Sequence, residues 1–132
     1  MIRNRGITNV SLSVTNSFTY TASADCWVIG AFLKLVASAT VGNRQLRITV
    51  KDKAGNQVML FDFGATQAAG GTHYYNAYPD AQNETAFSGA CIDRRLPWEL
   101  KLWDGWQLII ADSANVDATS DALTGLLQIG SL

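Results

Sequence analysis

The stretch Trp98–Asp112, WELKLWDGWQLIIAD, holds three of the chain's four tryptophans within nine positions. Its parity decides the fold. A loop of Trp103, Asp104 and Gly105, with Gly105 in the left-handed position, sets Leu102 against Trp106, Leu100 against Leu108 and Trp98 against Ile110. All six then share one face, and Glu99, Lys101, Gln107 and Ile109 share the other. The two segments are strands of a hairpin, or of opposite sheets joined by a corner; either way this parity turns the same six inward. Trp98 and Trp106 are therefore expected in the core, with Trp103 left at the loop tip as a candidate contact residue.

The same period of two recurs outward from this segment. Val10, Leu12 and Val14 alternate with serines, and Phe18, Tyr20 and Ala22 continue the pattern. Leu46, Ile48 and Val50 alternate with Arg47, Thr49 and Lys51, and Met59, Phe61 and Phe63 form the inward set of QVMLFDFG. CWVIGAFLKLVAS is apolar on both faces, as in a strand covered on both sides. No long window carries apolar residues at helical spacing. The expected fold is all-β, a two-sheet antiparallel β-sandwich of the jelly-roll kind with about eight strands. One domain is expected over 7–132, preceded by an N-terminal arm at 1–6. Between Gly64 and Ala90, rich in Gly, Ala, Thr and Asn, a short strand at HYYNAY is the expected interruption.

Composition narrows the function. Ten basic and eleven acidic side chains give a net charge of −1, which offers no field for nucleic acid or an anionic membrane. Charged residues are 16% of the chain against about 25% in typical domains, so the surface is easily desolvated and suits cover by other subunits. No stretch has the length and apolarity of a transmembrane helix, and MIRNRG leads into a polar strand rather than a signal-peptide core; a soluble protein made in a cytoplasm is expected. Cys26 and Cys91 match no zinc spacing and are read as free thiols.

Chemistry is sparse. A single histidine, His73, supplies no His-based metal site, and no nucleophile elbow occurs. Asp112, Asp117 and Asp121, with Asn115, lack EF-hand spacing and are read as Asx turns and caps of a solvated loop rather than as calcium ligands or a glycosidase pair. No catalytic residue, metal or cofactor is assigned. Candidate contact residues are Arg3 and Arg5 in the arm, the aromatic run His73, Tyr74, Tyr75 and Tyr78, and Trp103.

The segment LPWELKLWDGWQLIIADSANVDATSDALTGLLQI resembles the C-terminal part of small jelly-roll virion proteins of tailed bacteriophages. In these a Pro-led strand, a Gly turn, a strand ending in Asp, an Ala/Asn/Asp loop and a final D-x-L strand follow in order. The resemblance covers the last third of the chain and implies a non-enzymatic virion protein, such as a head decoration (cement) protein or a head or tail accessory protein. Its expected partners are the major capsid protein or another virion protein and further copies of itself, as a symmetric oligomer, a trimer. It is expected in the virion after synthesis in the host cytoplasm. The alternative is a carbohydrate- or receptor-binding β-sandwich module in which Trp103, Tyr75 and Tyr78 stack on sugar rings.

Overall fold

A computed structural model describes residues 6–131. Arg3 and Arg5 lie outside the described residues. Ten strands run in chain order: β1 Ile7–Val14, β2 Ser17–Thr21, β3 Cys26–Val36, β4 Leu46–Lys51, β5 Gln57–Asp62, β6 Thr72–Tyr78, β7 Cys91–Arg95, β8 Leu100–Leu102, β9 Gln107–Asp112 and β10 Ala122–Ser131. The larger sheet has the order β1-β10-β3-β6-β7, with β8 also paired to β3; the smaller has the order β2-β9-β4-β5. The chain is an all-β two-sheet sandwich, as its alternation predicts.

Two strands are added to the eight of a jelly roll between residues 72 and 95: β6, expected at HYYNAY, and β7, which the sequence reading does not name. Apart from β6 and β7, the larger sheet keeps β1, β10, β3 and β8, and the smaller keeps β2, β9, β4 and β5. Those eight wrap back and forth between the sheets as a jelly roll does. The added pair is parallel, Tyr74 beside Cys91 and Tyr78 beside Arg95. A parallel pair needs a long crossover, and residues 79–90 supply it. The same segment closes the sheet edge: Asn83 Oδ1 accepts the Arg95 amide at 2.9 Å, and Glu84 Oε1 accepts the Asp93 amide at 2.7 Å.

The core lies between the sheets. Leu33 and Leu35 of β3, Tyr75 of β6 and Leu127 of β10 face Ile48 and Val50 of β4 and Leu108 and Ile110 of β9. β8 pairs with β3, whereas β9 pairs with β2 and β4, so the opening stretch turns a corner between sheets instead of forming a hairpin. Leu100, Leu102, Leu108 and Ile110 are buried and Trp106 packs against the core, as parity requires. Trp98 is a correction: it is 70% exposed. Glu99 has φ 59°, a left-handed residue that breaks the alternation between Trp98 and Leu100.

The loops at one end are pinned by buried polar groups. Arg44 is fully buried, and its guanidinium meets Asp121 through Nε and Nη2, both at 3.0 Å, while Nη1 reaches the carbonyls of Thr40 and Gly42. Asp112, also buried, accepts the amides of Gln45, Ala114 and Val116. Asp117 accepts the Ser38 and Thr40 hydroxyls and the Thr119 amide. The capping expected for these aspartates is present, but the loop is not simply solvated, because Asp112 and Asp121 are buried.

Candidate functional site: the outer face of the larger sheet

Strand parity places two sets of side chains on opposite faces of the larger sheet. Along β3, Leu33 and Leu35 point inward, while Phe32, Lys34 and Val36 point out. Along β6, Tyr75 and Ala77 point inward and Tyr74, Asn76 and Tyr78 point out. The register sets Phe32 between Leu126 of β10 and Asn76 of β6, and Lys34 between Thr124 and Tyr74. The outcome is an apolar and aromatic patch in the middle of a hydrogen-bonded sheet, with Phe32, Val36 and Tyr74 exposed.

The aromatic rings are held by glycines. A Cβ at Gly30 would lie 3.2 Å from the Phe32 ring and 2.9 Å from the Ala77 carbonyl, so the absent side chain lets Phe32 lie down across the strand. Tyr78, on the neighbouring strand, stacks with Phe32, centroids 6.2 Å apart and planes 25° from parallel. At the far end the Trp27 indole fills the space above Gly130, where no side chain fits. Its Nε1 is buried with no partner.

A polar margin runs along β7. Asn76 Nδ2 reaches Cys91 Sγ at 3.1 Å and Asp93 Oδ1 at 3.3 Å, and the Tyr78 hydroxyl donates to Asp93 Oδ2 at 3.3 Å. The Asp93 charge raises the Tyr78 phenol above its ordinary pKa, and burial followed by Asp93 raises the Cys91 thiol. Both groups are therefore neutral near pH 7. Both cysteines are free.

The loop tips carry the remaining exposed rings. Trp103 N-terminal to the turn accepts the Trp106 amide at 2.9 Å through its carbonyl, and Gly105 takes φ 84° within it, as read from the sequence. Trp103 is 47% exposed, and Lys101 Nζ sits 3.5 Å above its ring, a cation–π contact that occupies one face.

Of the residues singled out in the sequence, Tyr74, Tyr78 and Trp103 reach the surface, and Tyr74 and Tyr78 share one patch. Tyr75 and His73 are corrections. Tyr75 is fully buried; it meets Phe63 edge-on at 5.1 Å and Phe87 at 5.5 Å, and its hydroxyl donates to Gln67 at 2.7 Å. Burial raises its pKa well beyond the normal tyrosine range. His73 tilts against Phe87 at 4.3 Å with Nδ1 buried and unpartnered. Both share the inward parity of β6: the Tyr75 ring is closed to a partner, and the His73 ring is half-buried against Phe87 instead of standing on the outer face. Sequence reasoning missed Phe32, Val36 and Leu126, because a strand apolar on both faces gives no sign of which face is covered.

Among the described residues, no group of three or more His, Cys, Asp or Glu is placed to hold a metal ion. The depressions beside the smaller sheet are shallow: one of about 260 Å³ is lined by Arg47, Thr49, Lys51 and Ile109, and one of about 400 Å³ by Asp62, Glu84 and Arg94. No family model matches the chain, and no curated protein matches it. Among solved structures it is similar to the crystal structure of an agarase, AgWH50C, at 10% identity and TM-score 0.39, over 98% of this chain and 19% of that one. The chain thus corresponds in length to a small part of that protein, and a likeness of this order assigns it no activity.

Proposed function

We propose that the protein is a structural component of a tailed-bacteriophage particle that acts by surface contact rather than catalysis, as a head decoration (cement) protein. The observation that carries the proposal is the patch of Phe32, Tyr78, Tyr74 and Val36 on the outer face of the larger sheet. Rigid aromatic side chains on paired strands bury large area at small cost in conformational entropy, which suits a permanent protein contact. The partner is the major capsid protein or a neighbouring virion protein, and the chain acts as a symmetric homo-oligomer. Several copies engaging one lattice raise the effective concentration of each contact and resist particle expansion. The near-neutral charge fits a protein partner better than nucleic acid or a membrane surface. In this reading the protein is made in the host cytoplasm and resides in the virion.

A second reading, a carbohydrate-binding module, is favoured by the exposure of Trp98 and Trp103 on either side of β8. It loses Tyr75, which is buried, and Lys101 already occupies one face of Trp103. The two readings separate in one pair of assays. A cement protein co-sediments with capsids at a fixed copy ratio and shows no change in tryptophan fluorescence on titration with oligosaccharides. A carbohydrate module gives a saturable fluorescence change and no fixed ratio on capsids.

A further inference from the structure

Sheet edges expose unpaired amides and carbonyls, and folded proteins guard them with charge, proline, bulges or cover. Three of the edges here are guarded or short. β7 is covered by Asn83 and Glu84, β5 has a register irregularity and carries Asp62, and β2 has only five residues. β1 differs from all of them. Its eight residues, ITNVSLSV, contain no charge and no proline, and they keep an unbroken register with β10 from Ile7 to Val14. Among the described residues nothing pairs with its outer edge.

The hydrogen-bond phase of that edge follows from one bond. The Ser131 amide donates to the Gly6 carbonyl at 3.0 Å, so Gly6 and, alternating from it, Thr8, Val10, Leu12 and Val14 bond to β10. The amides and carbonyls of Ile7, Asn9, Ser11 and Ser13 therefore point away from the sheet. These four are symmetric about Val10. An antiparallel second copy of β1 with Val10 on the axis sets Ile7 opposite Ser13 and Asn9 opposite Ser11, and satisfies all four residues at once.

We propose that β1 is a homodimer interface, in which two copies pair edge to edge about a two-fold axis at Val10. A second copy is the occupant for two reasons. The strand is self-complementary in hydrogen-bond phase, and self-pairing a charged strand would oppose like charges, whereas β1 has none. Val10 and Val14 face the sandwich interior but are only half-buried, and the second copy extends the core across them. The pairing joins the two larger sheets into one continuous sheet. Its axis is perpendicular to that sheet, so both aromatic outer faces point the same way. That arrangement gives two-fold rather than three-fold symmetry. The bivalent docking it permits rests on the proposed function; the dimer itself does not.

The test is sedimentation equilibrium of the full chain over a wide concentration range, beside two variants. The double variant Asn9→Lys with Ser11→Lys sets ammonium groups opposite one another across the axis while leaving the core untouched. Val10→Cys places a thiol on the axis at a non-hydrogen-bonded pair, where the backbones approach closely enough for a disulfide. The expected result is a doubled mass for the natural chain, a folded monomer whose Tm no longer depends on protein concentration for the lysine variant, and a disulfide-linked dimer for Val10→Cys under mild oxidation that the natural chain, with Cys26 and Cys91, does not form. A natural chain that stays monomeric throughout overturns the proposal. So does a dimer that survives the lysine substitutions, and so does failure of Val10→Cys to cross-link.

Discussion

Arg44 and Asp121 form a two-pronged ion pair, 3.0 Å at each prong, with both side chains wholly excluded from solvent. The pair ties the β3–β4 loop to the β9–β10 loop, and Ser38 joins it through its amide to Asp121 and its hydroxyl to Arg44. Every guanidinium nitrogen has an acceptor, so the burial cost of the charge is offset only while the whole set is intact. Removing one partner strands a charge inside the protein. Arg44→Ala is expected to destabilise the fold by about 3–5 kcal/mol, whereas the double change Arg44→Met with Asp121→Leu should cost markedly less. Urea unfolding of the three proteins checks this, and equal losses for single and double variants would refute the ion-pair account.

Acid should act on the same end of the molecule. Burial by itself would raise the Asp121 pKa; the bonds from Arg44 and the Ser38 amide outweigh it and hold the carboxyl below its ordinary value of 3.8. Asp117, half-buried at the surface, is held low first by the Ser38 hydroxyl and then by the Thr119 amide. A carboxyl whose folded pKa is depressed lends stability that is complete above its unfolded pKa and is lost as pH falls through the folded one. Tm should therefore be flat from pH 7 to about 5 and fall below about pH 4. In Asp121→Asn the acid-dependent loss should shrink.

The three clustered tryptophans should separate cleanly in thermal unfolding. Trp106→Ala removes a ring packed on the core and should cost about 3 kcal/mol. Trp103→Ala forfeits the Lys101 contact and should cost less than about 1 kcal/mol. Trp98→Ala should stay within about 0.5 kcal/mol. A large loss at Trp98 would place it back in the core and refute the corner at Glu99.

This ordering shows where the sequence is legible and where it is not. β4 and β9 alternate strictly, and each predicted inward residue among Leu46, Ile48, Val50, Leu108 and Ile110 is buried, because half-covered strands write their burial into parity. Trp98 escapes that logic through one backbone angle at Glu99, which no side-chain pattern encodes. β7 escapes it because CIDRR has one fully buried apolar residue, Ile92; Arg94 lies instead over the Phe61 ring at 5.6 Å. Arg44 reads as a surface residue in the sequence, since its acceptors lie in loops and on Asp121, 77 positions along the chain. The outer aromatic patch is half legible. Tyr74 and Tyr78 belong to an obvious aromatic run, but only the register of β3 against β6 adds Phe32 and removes Tyr75.

The patch itself should be separable from stability. Tyr74→Ser with Phe32→Ser leaves the inward face of both strands unchanged. If the patch carries a hot spot, attachment to the particle should weaken by more than tenfold, at about 2 kcal/mol per anchoring ring. Tm should move far less than in Arg44→Ala. Equal attachment by the natural and substituted chains, measured by co-sedimentation over a concentration series, would move the contact to the loop tips at Trp98 and Trp103.

The most direct measurement is the copy number of this protein in purified particles, taken by quantitative mass spectrometry against the major capsid protein of the same virus. A fixed ratio set by the lattice symmetry, reproduced between preparations and lowered by Tyr74→Ser with Phe32→Ser, is the predicted result. Absence of the protein from particles, or a trace amount that varies between preparations, would contradict the account.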